Sequence, residues 1–274
     1  MNLQAALRDG AERLQASGSQ TARLDAELLL GHALGLTRTG LYAASDRSLD
    51  DDERDVYERL LARRERHEPV AYILGEWGFR RLMLATDRRA LVPRPETEVV
   101  VERCLALLDG AAAPRVLDVG TGSGAIALAI LDERPGALVT GVDVSREALE
   151  LAWENRRRTG LEVGLDRGDV LVGFPPGPWD LVVSNPPYVD RAEFAALMPD
   201  IRDWEPSVAL VARGVTEAVI DGATEALRPG GALVLEVGDG HAAAVAGELR
   251  RLGFRDVAVT EDLAGRPRVV EGRR

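Results

Sequence analysis

Lysine is missing: all 34 basic positions are arginine, a pattern that compositional bias of the genome accounts for. Acidic residues outnumber them at 45, and the net charge is -11. A protein that grips nucleic acid needs a basic face to release counterions from phosphates, so this balance argues against a dedicated DNA binder. Short clusters such as Arg63-Arg64 and Arg156-Arg157-Arg158 read as solvated helix faces. Cysteine occurs once, at Cys104, which excludes an intramolecular disulfide and fits a reducing compartment. Aromatic residues make up only 4%, so Ala, Val and Leu must fill the core. No apolar run approaches the ~18 residues of a membrane span. The start, Met1-Asn2-Leu3-Gln4, has no basic region leading into an apolar stretch. A soluble, cytoplasmic monomer with no bound metal is expected.

Within 274 residues, one large domain or two smaller ones fit. Residues 1–70 read as a small helical domain. Leu24, Leu28, Leu29 and Leu36 recur at helical spacing around Asp25-Ala26-Glu27. A second helix runs from Asp50, which can cap it, towards His67, with Glu68-Pro69 as the stop. Residues 71–95 read as a β-hairpin linker. Gly75 and Gly78 break the helical pattern, and Leu82, Leu84, Ala90 and Val92 alternate around Asp87-Arg88. Glu96 and Glu98 then sit in the first turn of the next helix, where its dipole favours them. Across residues 96–274, strands at 115–120, 138–144, 180–184 and 232–238 alternate with helices at 124–133, 145–158, 214–227 and 241–252. Such alternation predicts a doubly wound, mainly parallel α/β sheet of Rossmann type. A terminal hairpin, 254–260 and 267–270, adds one antiparallel strand.

Val116-Leu117-Asp118-Val119 leads into Gly120-Thr121-Gly122-Ser123-Gly124 and then a helix. Glycines there let the backbone approach a ligand closely, and the helix start offers free amides. This pattern alone fits nicotinamide and flavin enzymes as well as methyltransferases. Asp143 ends the second strand, where a carboxylate can accept from both ribose hydroxyls. Capping the next helix is its alternative role, although Ser145 could do that instead. Asp118, ahead of the glycines, suits a cofactor less anionic than a dinucleotide and tips the choice to S-adenosyl-L-methionine. Asp169 follows a third short strand and could accept from an adenine amino group.

Asn185-Pro186-Pro187-Tyr188 directly follows the apolar run Leu181-Val182-Val183. Ligand crevices of open α/β sheets lie at such carboxyl ends. Two prolines brace the backbone and remove two donors. The Asn185 amide oxygen and the Pro186 carbonyl then form paired acceptors for one NH2 group. An amide or aryl-amine nitrogen is a poor nucleophile because its lone pair is delocalised. Accepting both hydrogens pushes electron density back and favours attack on a methyl sulfonium. Tyr188 can stack on the planar group. The motif by itself serves a protein amide or an adenine, cytosine or guanine amino group equally.

These residues resemble the Asn/Asp-Pro-Pro-Tyr/Phe amino-methyltransferases. Together with Asp25-Ala26-Glu27-Leu28-Leu29-Leu30, Glu68-Pro69-Val70-Ala71-Tyr72-Ile73-Leu74-Gly75 and Val92-Pro93-Arg94-Pro95-Glu96-Thr97-Glu98, the chain is similar to the peptide chain release factor glutamine methyltransferases (the HemK/PrmC family). A sister family acting on a glutamine of a ribosomal protein usually has Pro-Arg-Ser-Pro in the third stretch. The resemblance implies a class I methyltransferase sheet behind an N-terminal substrate-binding domain. It implies methyl transfer from S-adenosyl-L-methionine, leaving S-adenosyl-L-homocysteine, to the glutamine of the Gly-Gly-Gln motif in class I release factors, in translation termination. Gly120, Thr121, Gly122, Ser123, Gly124, Asp143, Asp169, Val170 and Asn185 would hold the cofactor. Asn185, Pro186, Pro187 and Tyr188 would hold the glutamine, with Asn185, Pro186 and Tyr188 catalytic. Arg94 and Glu96 would organise the domain junction, and Phe79 would line the substrate channel. Two positions depart from the family: Val170 stands where an aromatic is common beside the adenine, and Ala85 where one is common on the channel wall. Methylation of a nucleic-acid base or of a ribosomal-protein glutamine is the alternative.

Overall fold

The computed structural model describes residues 1–274. Eleven helices and nine strands follow along the chain: α1 (Leu3–Ala16), α2 (Ala22–Leu34), α3 (Arg38–Ala43), α4 (Asp51–Arg64), α5 (Val70–Leu74), β1 (Glu76–Phe79), β2 (Leu82–Ala85), α6 (Pro95–Leu107), β3 (Arg115–Val119), α7 (Ala125–Glu133), β4 (Leu138–Asp143), α8 (Arg146–Thr159), β5 (Gly164–Arg167), β6 (Trp179–Ser184), α9 (Pro199–Arg202), α10 (Val215–Ala226), β7 (Leu227–Glu236), α11 (Ala242–Arg251), β8 (Arg255–Glu261) and β9 (Pro267–Arg273). Two compact units result. One comprises Met1–Glu76 with Met198–Trp204, the other Trp77–Leu197 with Glu205–Arg274. No helix is long and apolar enough to cross a membrane.

The first unit is helical, and its polar residues are less exposed than their sequence suggests. Asp50 caps α4 through a reciprocal capping box with Glu53. Leu24, expected on the apolar face of α2, is instead exposed, while Asp25 and Glu27 are buried. Both carboxylates are compensated. Asp25 accepts from Ser19 Oγ, Thr21 Oγ1 and Arg64 Nε, each at 2.8 Å. Glu27 accepts from Arg23 Nε at 2.8 Å, Arg38 Nη2 at 2.7 Å and the Tyr42 hydroxyl. Arg64, expected on a solvated face, is therefore buried. A buried charge is tolerable where several donors satisfy it, and the apolar period of α2 turns to accommodate the pairs.

In the second unit the strand order is β5-β4-β3-β6-β7-β9-β8. Neighbours from β5 to β7 run parallel, and β9 is antiparallel to both β7 and β8. Side chains alternate between faces as the strand period demands. Val116, Leu181, Val183, Ala232, Val234 and Val269 face the layer holding α6, α7 and α8. Leu117, Val182, Leu233, Leu235 and Val270 face the layer with α10 and α11. Both faces are buried, which is why the strands read as continuous apolar runs.

The hairpin differs from its expected form. Its strands are β1 and β2, and Ala90 and Val92 lie in irregular backbone instead of a second strand around Asp87-Arg88. The turn sits at Arg80, in the left-handed region with φ 52°. Acid groups on the following helices hold it there. Arg80 N–H donates to Glu98 Oε1 at 2.9 Å, and its guanidinium forks onto Glu133 at 2.6 and 2.8 Å. These charge-assisted bonds outweigh the local strain of a non-glycine residue at positive φ.

Candidate active site

Order along the sheet reverses beside β3: the chain moves outward through β4 and β5, then returns to pair β6 on the other side. Open α/β sheets bind ligands at such a point, beyond the carboxyl ends of the strands. Three segments meet there. After β3, Gly120, Gly122 and Gly124 adopt φ of 72°, 57° and 82°. The N–H groups of Gly120 and Thr121 donate to Val142 O at 2.8 and 3.0 Å, pinning the turn to β4. At the end of β4, Asp143 Oδ2 accepts from Gly122 N–H at 2.8 Å and Oδ1 from Ser145 N–H at 2.9 Å. Ser145, not Asp143, caps α8, accepting from Ala148 N–H at 3.1 Å. An ionised carboxylate has about four lone-pair positions, so Asp143 retains acceptor capacity on both oxygens. Burial pushes its pKa up, while the backbone N–H groups of Ser145 and Gly122 oppose the shift.

Asn185 follows β6. Its Nδ2 donates to Thr97 Oγ1 at 3.4 Å, and Thr97 Oγ1 donates to Glu236 Oε2 at 2.7 Å. Beyond the motif, Val189 N–H donates to Leu210 O and Ala212 N–H to Val189 O, both at 2.9 Å. Arg94 forms an ion pair with the buried carboxylate of Glu205. These bonds fix the segment carrying Pro206, Val208 and Ala209 as one wall of a single cleft.

Most of the residues singled out in the sequence border that cleft. Gly120, Thr121, Gly122 and Ser123 line it, as do Asp143, Asp169 and Val170. Asn185, Pro187 and Arg94 line it too, together with the apolar Val142, Val144 and Ala148. Asp169 is exposed, with Oδ1 accepting from Leu171 N–H at 3.0 Å. Gly124 sits just behind, at the start of α7, where a Cβ would come within 3.4 Å of Ala152 Cβ. Pro186 is buried, and the half-buried Tyr188 packs against Gly238, where an added Cβ would meet its ring at 2.8 Å.

Three expectations change, at Phe79, Glu96 and Ala85. Phe79 is 1% exposed and packs in the core with Leu84, Val100 and Val101, away from the cleft lining. It ends β1 as the one buried residue of that strand. Glu96 does not border the cleft and pairs instead with Arg266 at 3.2 Å. Ala85 is no wall residue; it packs with Ala90, Ala148 and Leu151. Asp118 lies beneath the glycine turn, fully buried, accepting from Thr121 Oγ1 at 2.7 Å. Burial pushes its pKa up to about 7.

Other residues escaped the sequence. Thr97 and Glu236 were among them, although Glu236 is a lone acid ending the apolar run Leu233-Val234-Leu235. Asn155 is fully buried on α8. It accepts from Ala85 N–H at 2.7 Å and donates to Ala85 O at 3.1 Å and Ser123 O at 3.0 Å, tying hairpin to glycine turn. A single amide among Leu151, Ala152 and Thr159 at helical spacing was the available signal.

A glycine turn, a carboxylate at the end of the second strand and a 7-stranded sheet with one reversed strand define a class I methyltransferase. The model of the PrmC N-terminal domain matches residues 5–75, and that of the methyltransferase small domain residues 98–200. A release factor glutamine methyltransferase of Rhodospirillum rubrum is 43% identical over 271 residues, 97% of this chain and 83% of the relative. One from Deinococcus radiodurans is 40% identical over 278 residues, covering 100% of this chain and 99% of the relative. A methyltransferase structure from Pyrococcus furiosus shares the fold, with a TM-score of 0.50 and 19% identity over 69% of this chain and 87% of that one. The chain belongs to the release factor glutamine methyltransferase family. Family and fold imply S-adenosyl-L-methionine as methyl donor.

Proposed function

We propose that this cleft transfers a methyl group from S-adenosyl-L-methionine to the side-chain amide nitrogen of the glutamine in the Gly-Gly-Gln motif of class I peptide chain release factors. One observation carries the proposal: Asn185 borders the same cleft as the glycine turn and Asp143, with its NH2 turned to Thr97. That orientation leaves Oδ1 as an acceptor.

The lining fits the cofactor. Asp143 has acceptor capacity left for two hydroxyls, and Val142, Val144, Ala148 and Val170 offer apolar surface for a flat base. Gly120 to Gly124 bring backbone amides close without side chains in the way. Val170 is half-buried against the core, so it supplies an aliphatic contact where an aromatic would stack. When bound, the cofactor supplies a sulfonium-borne methyl group open to nucleophilic attack. Asn185 Oδ1 and the Pro186 carbonyl accept the two hydrogens of the substrate amide and favour a tetrahedral nitrogen. Tyr188 orients the amide plane, and Pro187 holds the backbone in place. Residues 1–70 recognise the release factor, residues 71–95 link, and residues 96–274 carry the chemistry.

Labelled S-adenosyl-L-methionine tests this in separate incubations with a release factor, its Gln→Ala variant, ribosomal proteins and DNA. Label is expected on the release factor and not on the Gln→Ala variant. Label on DNA but not on the release factor would sink the proposal.

A further inference from the structure

Resting on the amide-methylation reading above, we propose that Glu236 and Thr97 are positioning residues that set the orientation of the catalytic Asn185 amide through a directional hydrogen-bond relay. Its logic lies in donor counting. A hydroxyl has one hydrogen to give, and an ionised carboxylate can only accept. Thr97 Oγ1 lies 2.7 Å from Glu236 Oε2, so its hydrogen goes to Glu236. Thr97 can then only accept from Asn185, at 3.4 Å. Asn185 must therefore present NH2 to Thr97, and its oxygen is left facing the acceptor site. Protonating Glu236 removes the constraint. A protonated carboxyl can donate to Thr97, Thr97 can donate to Asn185, and the amide can then turn its oxygen away from substrate.

The surroundings keep this switch near neutrality. Burial on β7 pushes Glu236 up to about 7. Thr97 and the cations Arg268 and Arg94 favour its ionised form, and Glu96 opposes it. These neighbours are themselves paired: Arg268 with Asp239 and Asp262, Arg94 with Glu205, and Glu96 with Arg266. Tyr188 also feels Glu236, and burial raises its own pKa beyond the range in which the relay operates. Asp118 is also pushed up to about 7, but it bonds Thr121 beneath the glycine turn, so Glu236 is the group in contact with Thr97 that is expected to change charge there.

Two measurements test the relay. Steady-state methylation of a release factor is compared for wild type, Thr97→Val and Thr97→Ser, with unfolding temperatures confirming that each variant folds. Thr97→Val should lower kcat about tenfold with the KM for S-adenosyl-L-methionine unchanged, and Thr97→Ser should restore it. Full kcat in Thr97→Val, or no rescue by serine, overturns the relay. Inactive wild type would instead overturn the assigned reaction. Independently of any acceptor, the Asn185 side-chain NH2 resonances in ¹⁵N-labelled protein should shift as pH passes through about 7 and stay fixed in Glu236→Gln. A shift that persists in Glu236→Gln, or no shift in wild type, also overturns it.

Discussion

Replacing Asn155 with alanine offers a perturbation whose size follows from three bonds. The wild-type amide satisfies Ala85 N–H at 2.7 Å, Ala85 O at 3.1 Å and Ser123 O at 3.0 Å, and no part of the residue is exposed. Each such bond contributes about 1 kcal/mol net, and a buried partner left unsatisfied costs about 1–3 kcal/mol. The loss should therefore be about 3 kcal/mol, or more if no water enters the vacated space. For a unit spanning residues 77–197 and 205–274, that corresponds to a fall in Tm of about 6–12 °C. Ser123 belongs to the glycine turn, so cofactor affinity should fall as well. Asn155→Asp sharpens the comparison: it keeps the acceptor for Ala85 N–H but turns both donors into an acid facing two carbonyls. Thermal unfolding monitored by circular dichroism and titration calorimetry with S-adenosyl-L-methionine give the two readouts. A Tm within about 2 °C of wild type for both variants would refute the idea that this amide clamps hairpin and turn together.

Gly141→Ala should weaken cofactor binding about tenfold by calorimetry, because the new methyl meets Thr121 Cβ at 2.9 Å and a side-chain rotation cannot relieve that clash; unchanged affinity would contradict it. Gly238→Ala should displace the Tyr188 ring and lower kcat while leaving cofactor affinity intact; equal loss of both would mean that Tyr188 is not the residue affected. Asp118 has a folded-state pKa of about 7 against an ordinary 3.8, so its protonated form is favoured by folding. The associated stability is complete below about pH 4 and lost as pH rises through about 7. Asp118→Asn should flatten that dependence and raise Tm above wild type at about pH 8, and a Tm below wild type there would contradict the assignment.

The doubly wound sheet was legible because both of its faces are buried, which turns β3, β4, β6 and β7 into apolar runs. The cleft was legible for a related reason. Residues at strand ends follow directly from those runs, so the position of Gly120 to Ser123, Asp143 and Asn185 on the border of the cleft could be read in advance. What stayed hidden depends on partners distant in sequence. The hairpin turn at Arg80 is fixed by Glu98 and Glu133. Arg64 read as part of a solvated helix face until the fold brings it to the buried Asp25, 39 positions away. Phe79 and Glu96 were carried to the site by family resemblance, and packing sends one to the core and the other to Arg266. Thr97 and Glu236 lie 139 positions apart, and only the pairing of β6 with β7, beneath α6, brings them to Asn185.

Tandem mass spectrometry of a release factor incubated with the protein and S-adenosyl-L-methionine locates the transferred methyl directly. We expect a single methyl on the side-chain nitrogen of the Gly-Gly-Gln glutamine, absent when Asn185→Ala replaces wild type even though that variant still binds the cofactor. A methyl on any other residue, or undiminished methylation by Asn185→Ala, would contradict the assignment of this cleft.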